Sequence, residues 1–208
     1  HRFNNTNGKY AAMIKVGAPL GAIYGFRSLG VYQYSNYSDV EVAGVSGPDA
    51  PVVRNAQGEV VRDEFGNTKP MMFCYGDKEG TQYYEFKGGD AKYEDINHDG
   101  NIDRYDIVYL GSSLPKITGG FGMKVRWKSL SLNAQFNYRA GNKIINMARA
   151  TSEAMNTNDN QSAAVNWRWR VEGDITTIPR AMYDGIIPSY NWLGSDRFVE
   201  DGSFRRLN

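Results

Sequence analysis

Cysteine is almost absent from this 208-residue sequence, where Cys74 stands alone. A disulfide framework or a cysteine-rich zinc site within the chain is therefore excluded. In the run Met71-Met72-Phe73-Cys74-Tyr75 the thiol reads as a small buried apolar residue. Histidine is nearly as scarce, at His1 and His98, and no G-x-S-x-G, H-E-x-x-H or P-loop pattern occurs. The chain offers no catalytic set and reads as non-enzymatic. Net charge is also lacking: 24 Lys+Arg against 23 Asp+Glu leave +1. That balance argues against a nucleic-acid binder held by a basic field. No run approaches the roughly 18 apolar residues of a membrane helix, which excludes a helical span. A β-barrel stays open, because its strands are only half apolar.

What is abundant points to β-structure. The sequence holds 14 Tyr, 9 Phe and 23 Gly, a mixture of strand formers and turn residues. Residues 9–16 form a short apolar run that reads as a strand, and Gly17 to Gly21 reads as a turn. Ile23 to Tyr34 reads as one strand, with Gly25 and Gly30 marking bends or close backbone approach. Residues 35–92 are a long polar region, too long for a bare loop in a compact domain. Within it, Val52-Val53-Arg54 and Glu59-Val60-Val61-Arg62 flank Asn55 to Gly58 as a small hairpin.

The clearest pattern spans residues 119–139. Phe121, Met123, Val125 and Trp127 alternate with Gly122, Lys124, Arg126 and Lys128. Leu132, Ala134, Phe136 and Tyr138 then alternate with Ser131, Asn133, Gln135 and Asn137. Successive side chains on a strand point to opposite faces, so each run carries one apolar and one polar face. Each run is about as long as the 9–11 residues that cross a bilayer at a tilt. A very short turn at Lys128-Ser129 joins them, and long polar stretches lie beyond, up to residue 92 and over 143–201. Short turns at one end and long loops at the other are the layout of an outer-membrane barrel. An antiparallel sheet half buried on a soluble core would show the same alternation.

Residues 95–106 match a calcium loop in spacing. Asp95, Asn97 and Asp99 occupy positions 1, 3 and 5, and Gly100 supplies the sharp turn. Asn101 would offer its carbonyl at position 7, Asp103 stands at position 9 and Asp106 at position 12. Calcium takes several oxygen ligands at once, and alternate residues on a wrapped loop can all aim inward. Ile102 is expected to tuck beneath the loop and His98 to face solvent. Strand-like sequence flanks the loop, so a structural calcium clip is expected, not a helical sensor. A metal-free turn held by side-chain-to-backbone hydrogen bonds is the competing reading.

Among other polar groups, Glu153, Asp159, Glu200 and Asp201 read as solvated loop charges. Trp167, Trp169, Tyr190 and Trp192 are candidate ligand-stacking residues or packing residues of a large loop.

Several segments in order resemble one family. They are Gly17-Ala18-Pro19-Leu20-Gly21-Ala22-Ile23-Tyr24-Gly25-Phe26, Gly30-Val31-Tyr32-Gln33 and Gly89-Asp90-Ala91-Lys92-Tyr93-Glu94-Asp95-Ile96-Asn97-His98-Asp99-Gly100. Leu110-Gly111 with Pro115-Lys116-Ile117-Thr118-Gly119-Gly120-Phe121 follows, then Gly141-Asn142-Lys143-Ile144 and Arg197-Phe198-Val199-Glu200-Asp201-Gly202-Ser203-Phe204. Together they resemble a C-terminal part of the SusC/RagA-like TonB-linked outer-membrane transporters. Leu29 stands where that family has Asp, and the stretch from Trp167 to Arg180 follows the family only loosely. The resemblance implies an all-β fold, part of a barrel of about 22 strands around an N-terminal plug. It further implies residence in outer-membrane lipid, energising by TonB, a SusD-like surface lipoprotein as lid, and oligosaccharide or peptide cargo. On this reading the chain is a fragment without the plug. The alternative is a secreted all-β carbohydrate-binding or adhesin module with a structural calcium. The two differ in whether the stripe from Phe121 to Tyr138 faces lipid or a protein core.

Overall fold

The computed structural model describes residues 11–12, 17, 19–34, 49–75, 82–182 and 194–207. Apart from one short helix, α1 (Met147–Ser152), and a few 3-10 turns, the regular elements are strands. The fold is all-β.

Its strands fall in five small sheets, and two excursions run between them. β1 (Ala11–Ala12) pairs antiparallel with β2 (Ala22–Gly25). The first excursion, over β3 (Ser28–Val31), β4 (Met72–Tyr75), β5 (Gln82–Glu85), β6 (Ala91–Tyr93) and β7 (Asn101–Ile102), returns to β8 (Val108–Ser112), which pairs antiparallel with β2. The longest strands come next, β9 (Ile117–Trp127) and β10 (Leu130–Ala140), in an unbroken register from Trp127 opposite Leu130 to Ile117 opposite Ala140. The second excursion leaves through β11 (Lys143–Ile145) and returns through β12 (Val199–Asp201), which pair with each other. β13 (Phe204–Leu207) then lies antiparallel on the free side of β10. The tight turn Lys128-Ser129 thus closes one end of the hairpin, and an excursion over residues 146–198, closed by its own stem, leaves the other. Lys128 sits at φ 53, the positive φ that a two-residue hairpin turn requires at its first central position.

The register sorts the hairpin into two faces. Phe121 opposes Phe136, Met123 opposes Ala134, Val125 opposes Leu132 and Trp127 opposes Leu130. The Phe121 and Phe136 rings stack at 5.0 Å. No described element covers this face: Met123 is 53% and Trp127 68% exposed.

The core lies in the first excursion. Phe26, Tyr32, Val53, Met71, Phe73, Phe86, Ala91, Tyr93, Ile102 and Ile107 form one buried cluster. Ring centroids 5.6 Å apart for Tyr32–Phe86 and 5.8 Å for Phe26–Tyr93 give tilted aromatic packing. Each large side chain buried this way contributes about 1.5–3 kcal/mol. The polar stretch after residue 49 is therefore a folded unit, not an open loop.

Part of that unit is a small meander. Bridges join Arg54 to Val60, Arg62 to Thr68 and Val52 to Pro70. Its two turns repeat the same chemistry: Asn55 Oδ1 and Asp63 Oδ1 each accept from the backbone four residues on. Arg54 and Arg62 each donate to a glycine carbonyl, at Gly58 and Gly66.

The single strand expected over Ile23 to Tyr34 is divided at Phe26-Arg27. There the backbone turns from β8 toward another partner: Phe26 N–H donates to the Gly194 carbonyl at 2.8 Å, and Asp196 N–H to the Phe26 carbonyl at 3.1 Å. A side chain on Gly25 would run into the Gly194 carbonyl, which is the close approach that the glycine allows. Cys74 on β4 is half-buried, not fully buried.

Candidate functional site

Three surfaces carry the chemistry: the calcium-type loop, the tryptophan-bearing excursion and the two-faced hairpin. In the loop, Asp95 Oδ2 accepts from Gly100 N–H at 2.9 Å, Asn97 Oδ1 from Asp99 N–H at 3.2 Å and Asp99 Oδ1 from Asn101 N–H at 2.7 Å. Asp103 Oδ1 accepts from Tyr105 N–H, and the two oxygens of Asp106 accept from Ile96 and Asp103 N–H groups, each at 2.8 Å. Ile102 is fully buried beneath the loop and His98 faces solvent. Asp95 Oδ1 is buried with no hydrogen-bond partner among the described residues. Burial, opposed by its two backbone donors, pushes the Asp106 carboxyl up to about 7, and Asp95 and Asp103 add to the rise. Among the described residues, no three Asp, Glu, His or Cys side chains converge in a metal-holding cluster. The loop in this geometry is closed by its own hydrogen bonds, and its carboxylates would have to turn inward to hold a cation.

Gly100 is a fixed point of the loop. It sits at φ +87, and a Cβ there would run into Val53 of the core. Gly100→Ala is expected to destabilise this excursion by more than about 1 kcal/mol. The check is amide hydrogen exchange over residues 95–106, where unchanged protection would contradict the account.

In the second excursion, Trp167 is 78% exposed. It lines an open cleft of about 450 Å³ with Asn166, Arg170, Asp174 and Thr176. Trp169 is half-buried, and its ring lies where a side chain on Gly89 would stand. Its backbone N–H donates to the Ile178 carbonyl within the same excursion, and its ring against Gly89 packs one excursion onto the other. Tyr190 and Trp192 lie outside the described residues. A second cleft, of about 510 Å³, is lined by Leu29, Arg149, Glu153, Asp196 and Arg197 among others.

The comparisons bear on the whole arrangement. A TonB-dependent receptor of Formosa agariphila is 36% identical over 120 residues, 57% of this chain and 12% of that receptor. A second TonB-dependent receptor of the same organism is 28% identical over 171 residues, 80% of this chain and 16% of that receptor. The chain is a relative of the TonB-dependent receptors. It spans 12% and 16% of these two receptors' lengths, so it corresponds to one part of each. No family model matches the chain. The RagAB peptide transporter structure aligns over 99% of this chain and 17% of its own, with TM-score 0.51 at 20% identity. That likeness bears on the fold alone and agrees with the all-β architecture.

In this receptor-related chain the two excursions are locked together by buried ions that sequence reasoning missed. Asp90, 0% exposed, pairs with Arg180 at 2.6 Å and accepts from the Tyr84 hydroxyl at 2.7 Å. Arg180 N–H also donates to the Gly89 carbonyl. Burial, with Asp90 alongside, raises the Tyr84 phenol and keeps it a donor. Glu153 is not the solvated charge its sequence suggests. It is 4% exposed and held by Arg149 and Arg197, each at 2.9 Å. Asp196 Oδ1 caps Ser28 N–H at 2.8 Å. An Arg-rich stretch opposite isolated acids was the available signal, but the pairing partners lie 90 residues apart for Asp90 and Arg180.

Proposed function

We propose that the chain is part of a TonB-dependent importer in the bacterial outer membrane. It works with a SusD-like surface lipoprotein and takes up oligosaccharides or peptides. One observation carries the reading: an uncovered apolar face on two 11-residue strands, with a tight turn at one end and folded excursions at the other. Such strands are about 37 Å long at ~3.4 Å per residue. Tilted by ~45°, they span an apolar band ~25 Å tall. Trp127 stands by the turn and Tyr138 toward the other end, where aromatic girdles occur. The likeness to TonB-dependent receptors supports import, and the likeness to the RagAB peptide transporter is consistent with peptide as one cargo class. The chain acts as a carrier wall, not an enzyme. Trp167, exposed at the open cleft, is proposed to meet cargo or lid on the outer side.

Fractionation of the source cell tests this reading. A polypeptide much larger than 23.3 kDa in the outer-membrane fraction supports it. A soluble or secreted protein containing this sequence would overturn it in favour of the binding module.

Calcium in the 95–106 loop is part of the proposal. Its support is the ligand spacing and the buried, unpartnered Asp95 Oδ1. Asp95, Asn97, Asp99, Asp103 and Asp106 would supply side-chain oxygens and Asn101 its carbonyl. The ion would brace the excursion and do no chemistry. Calorimetric titration of the intact receptor with calcium is expected to show binding heat that Asp99→Ala abolishes. No heat in the unmodified protein would remove the metal from the account.

A further inference from the structure

The meander between Val52 and Pro70 is closed on itself. Val61 N–H donates to the Val53 carbonyl at 2.9 Å, Lys69 N–H to the Val61 carbonyl at 3.4 Å and Val53 N–H to the Lys69 carbonyl at 2.9 Å, so the backbone bonds run in a ring. Two corners of that ring rest on the calcium-type loop. The Val53 side chain, 2% exposed, fills the space in which a Cβ on Gly100 would stand. Lys69 Nζ donates to the Asp99 carbonyl at 2.6 Å, a charge-assisted bond. The chain leaving the ring continues the contact. Met72 N–H donates to the Gly100 carbonyl at 3.0 Å, and β4 pairs in parallel with β7 at Met72–Asn101 and Phe73–Ile102. Asp99, Gly100 and Asn101, in the middle of the loop, are thus attached to the meander and to β4, while Asn97 and His98 face solvent. The third corner, Val61, packs against the core.

We infer that cation occupancy of the 95–106 loop controls the order of the meander, with Lys69 and Val53 as the transmitting residues. The inference rests on the proposed calcium. Calcium takes several oxygen ligands at once, and the Asp99 carboxylate and the Asn101 carbonyl are two that the spacing supplies. Holding them fixes the Asp99 and Gly100 carbonyls to which Lys69 and Met72 donate, and the Gly100 backbone on which Val53 packs. An ion that binds only the loop so ordered stabilises it by mass action. The ring, attached at two of its corners, is stabilised with it. The coupling is reciprocal, so a meander in place raises the loop's affinity for the ion. β9 and β10 belong to a separate sheet and stand outside this coupling.

The test is amide hydrogen exchange of the full-length receptor in detergent, with calcium alone or with a chelator. The Val53, Val61 and Lys69 amides are expected to exchange about tenfold more slowly with calcium at roughly ten times its dissociation constant. Amides of residues 119–139 are expected to exchange at an unchanged rate. Lys69→Met keeps the aliphatic stem and removes the donor. It is expected to retain the calorimetric calcium heat and to lose most of the calcium-dependent protection. Lys69→Arg, which keeps a cationic donor, is expected to restore that protection. Calcium heat with equal exchange of the three amides in both conditions would overturn the inference and leave the metal site standing. Equal slowing of the hairpin would overturn it too, because the ion would then stabilise the whole receptor. So would calcium-dependent protection that is unchanged in Lys69→Met. Absence of calcium heat in the unmodified receptor would instead remove the proposed metal, and the coupling with it.

Discussion

Met123→Arg is expected to keep the protein out of the outer membrane. Met123 lies near the middle of β9, opposite Ala134 and between Phe121 and Val125 on the same face. If that face meets lipid, the arginine stands close to the bilayer midplane, where it costs about 2–4 kcal/mol. The side chain has no acidic partner on β10, the strand described beside it. Gln135→Arg introduces the same group one residue from Ala134 but on the polar face, opposite Gly122. It is expected to change stability by no more than about 0.5 kcal/mol, as surface substitutions usually do. The readout is the amount of heat-modifiable receptor in the outer membrane for the two variants. Equal insertion of both would remove the lipid-facing assignment. Equal failure of both would mean that neither face tolerates charge, as in a two-sided protein core.

This contrast depends on a part of the fold that was legible beforehand. Alternation with period two, interrupted only at Lys128-Ser129, leaves a single register in which the apolar residues of β9 and β10 share a face. A slip of one residue would reverse every side chain. The calcium-type loop was legible as spacing, and Gly100 and Ile102 sit where the spacing puts them. Whether its oxygens serve a cation or the backbone is not a property of spacing, because Asp and Asn satisfy either. The body formed by the excursions was largely illegible. Its core residues are spread from Phe26 to Ile107 among polar neighbours, with no long periodic run to mark them. The break at Phe26 depends on residues 194–196, distant in sequence. The first turn of the meander was legible as the hairpin around Asn55 to Gly58, and the second could have been found, since Val61-Arg62-Asp63 precedes Gly66 as Val53-Arg54-Asn55 precedes Gly58.

Asp90→Ala carries the second large effect. Asp90 is fully buried between the excursions, with Arg180, the Tyr84 hydroxyl and Lys87 N–H on its carboxylate. Removing the acid leaves a guanidinium beside Tyr84 without its counter-charge in a partly buried site. Breaking a buried pair from one side typically costs about 3–5 kcal/mol. Asp90→Asn keeps the shape and one acceptor but not the charge, so it is expected to fall between the unmodified protein and Asp90→Ala. The loss is local to the join: Arg180 holds the segment from Trp169 to Ile178 against Gly89, while the β9–β10 hairpin does not touch it. Limited proteolysis of the inserted receptor is therefore expected to cut within residues 167–182 in Asp90→Ala while the barrel remains heat-modifiable. Arg27–Glu94 is an exposed pair, and Glu94→Ala is expected to change little, within the 0–1 kcal/mol of surface bridges. Unchanged protection in Asp90→Ala would mean that the remaining contacts, Trp169 on Gly89 and the hydrogen bonds of Arg180, Gly194 and Asp196, suffice to hold the excursions together. Loss of the whole receptor would mean that their union is needed before the strands insert.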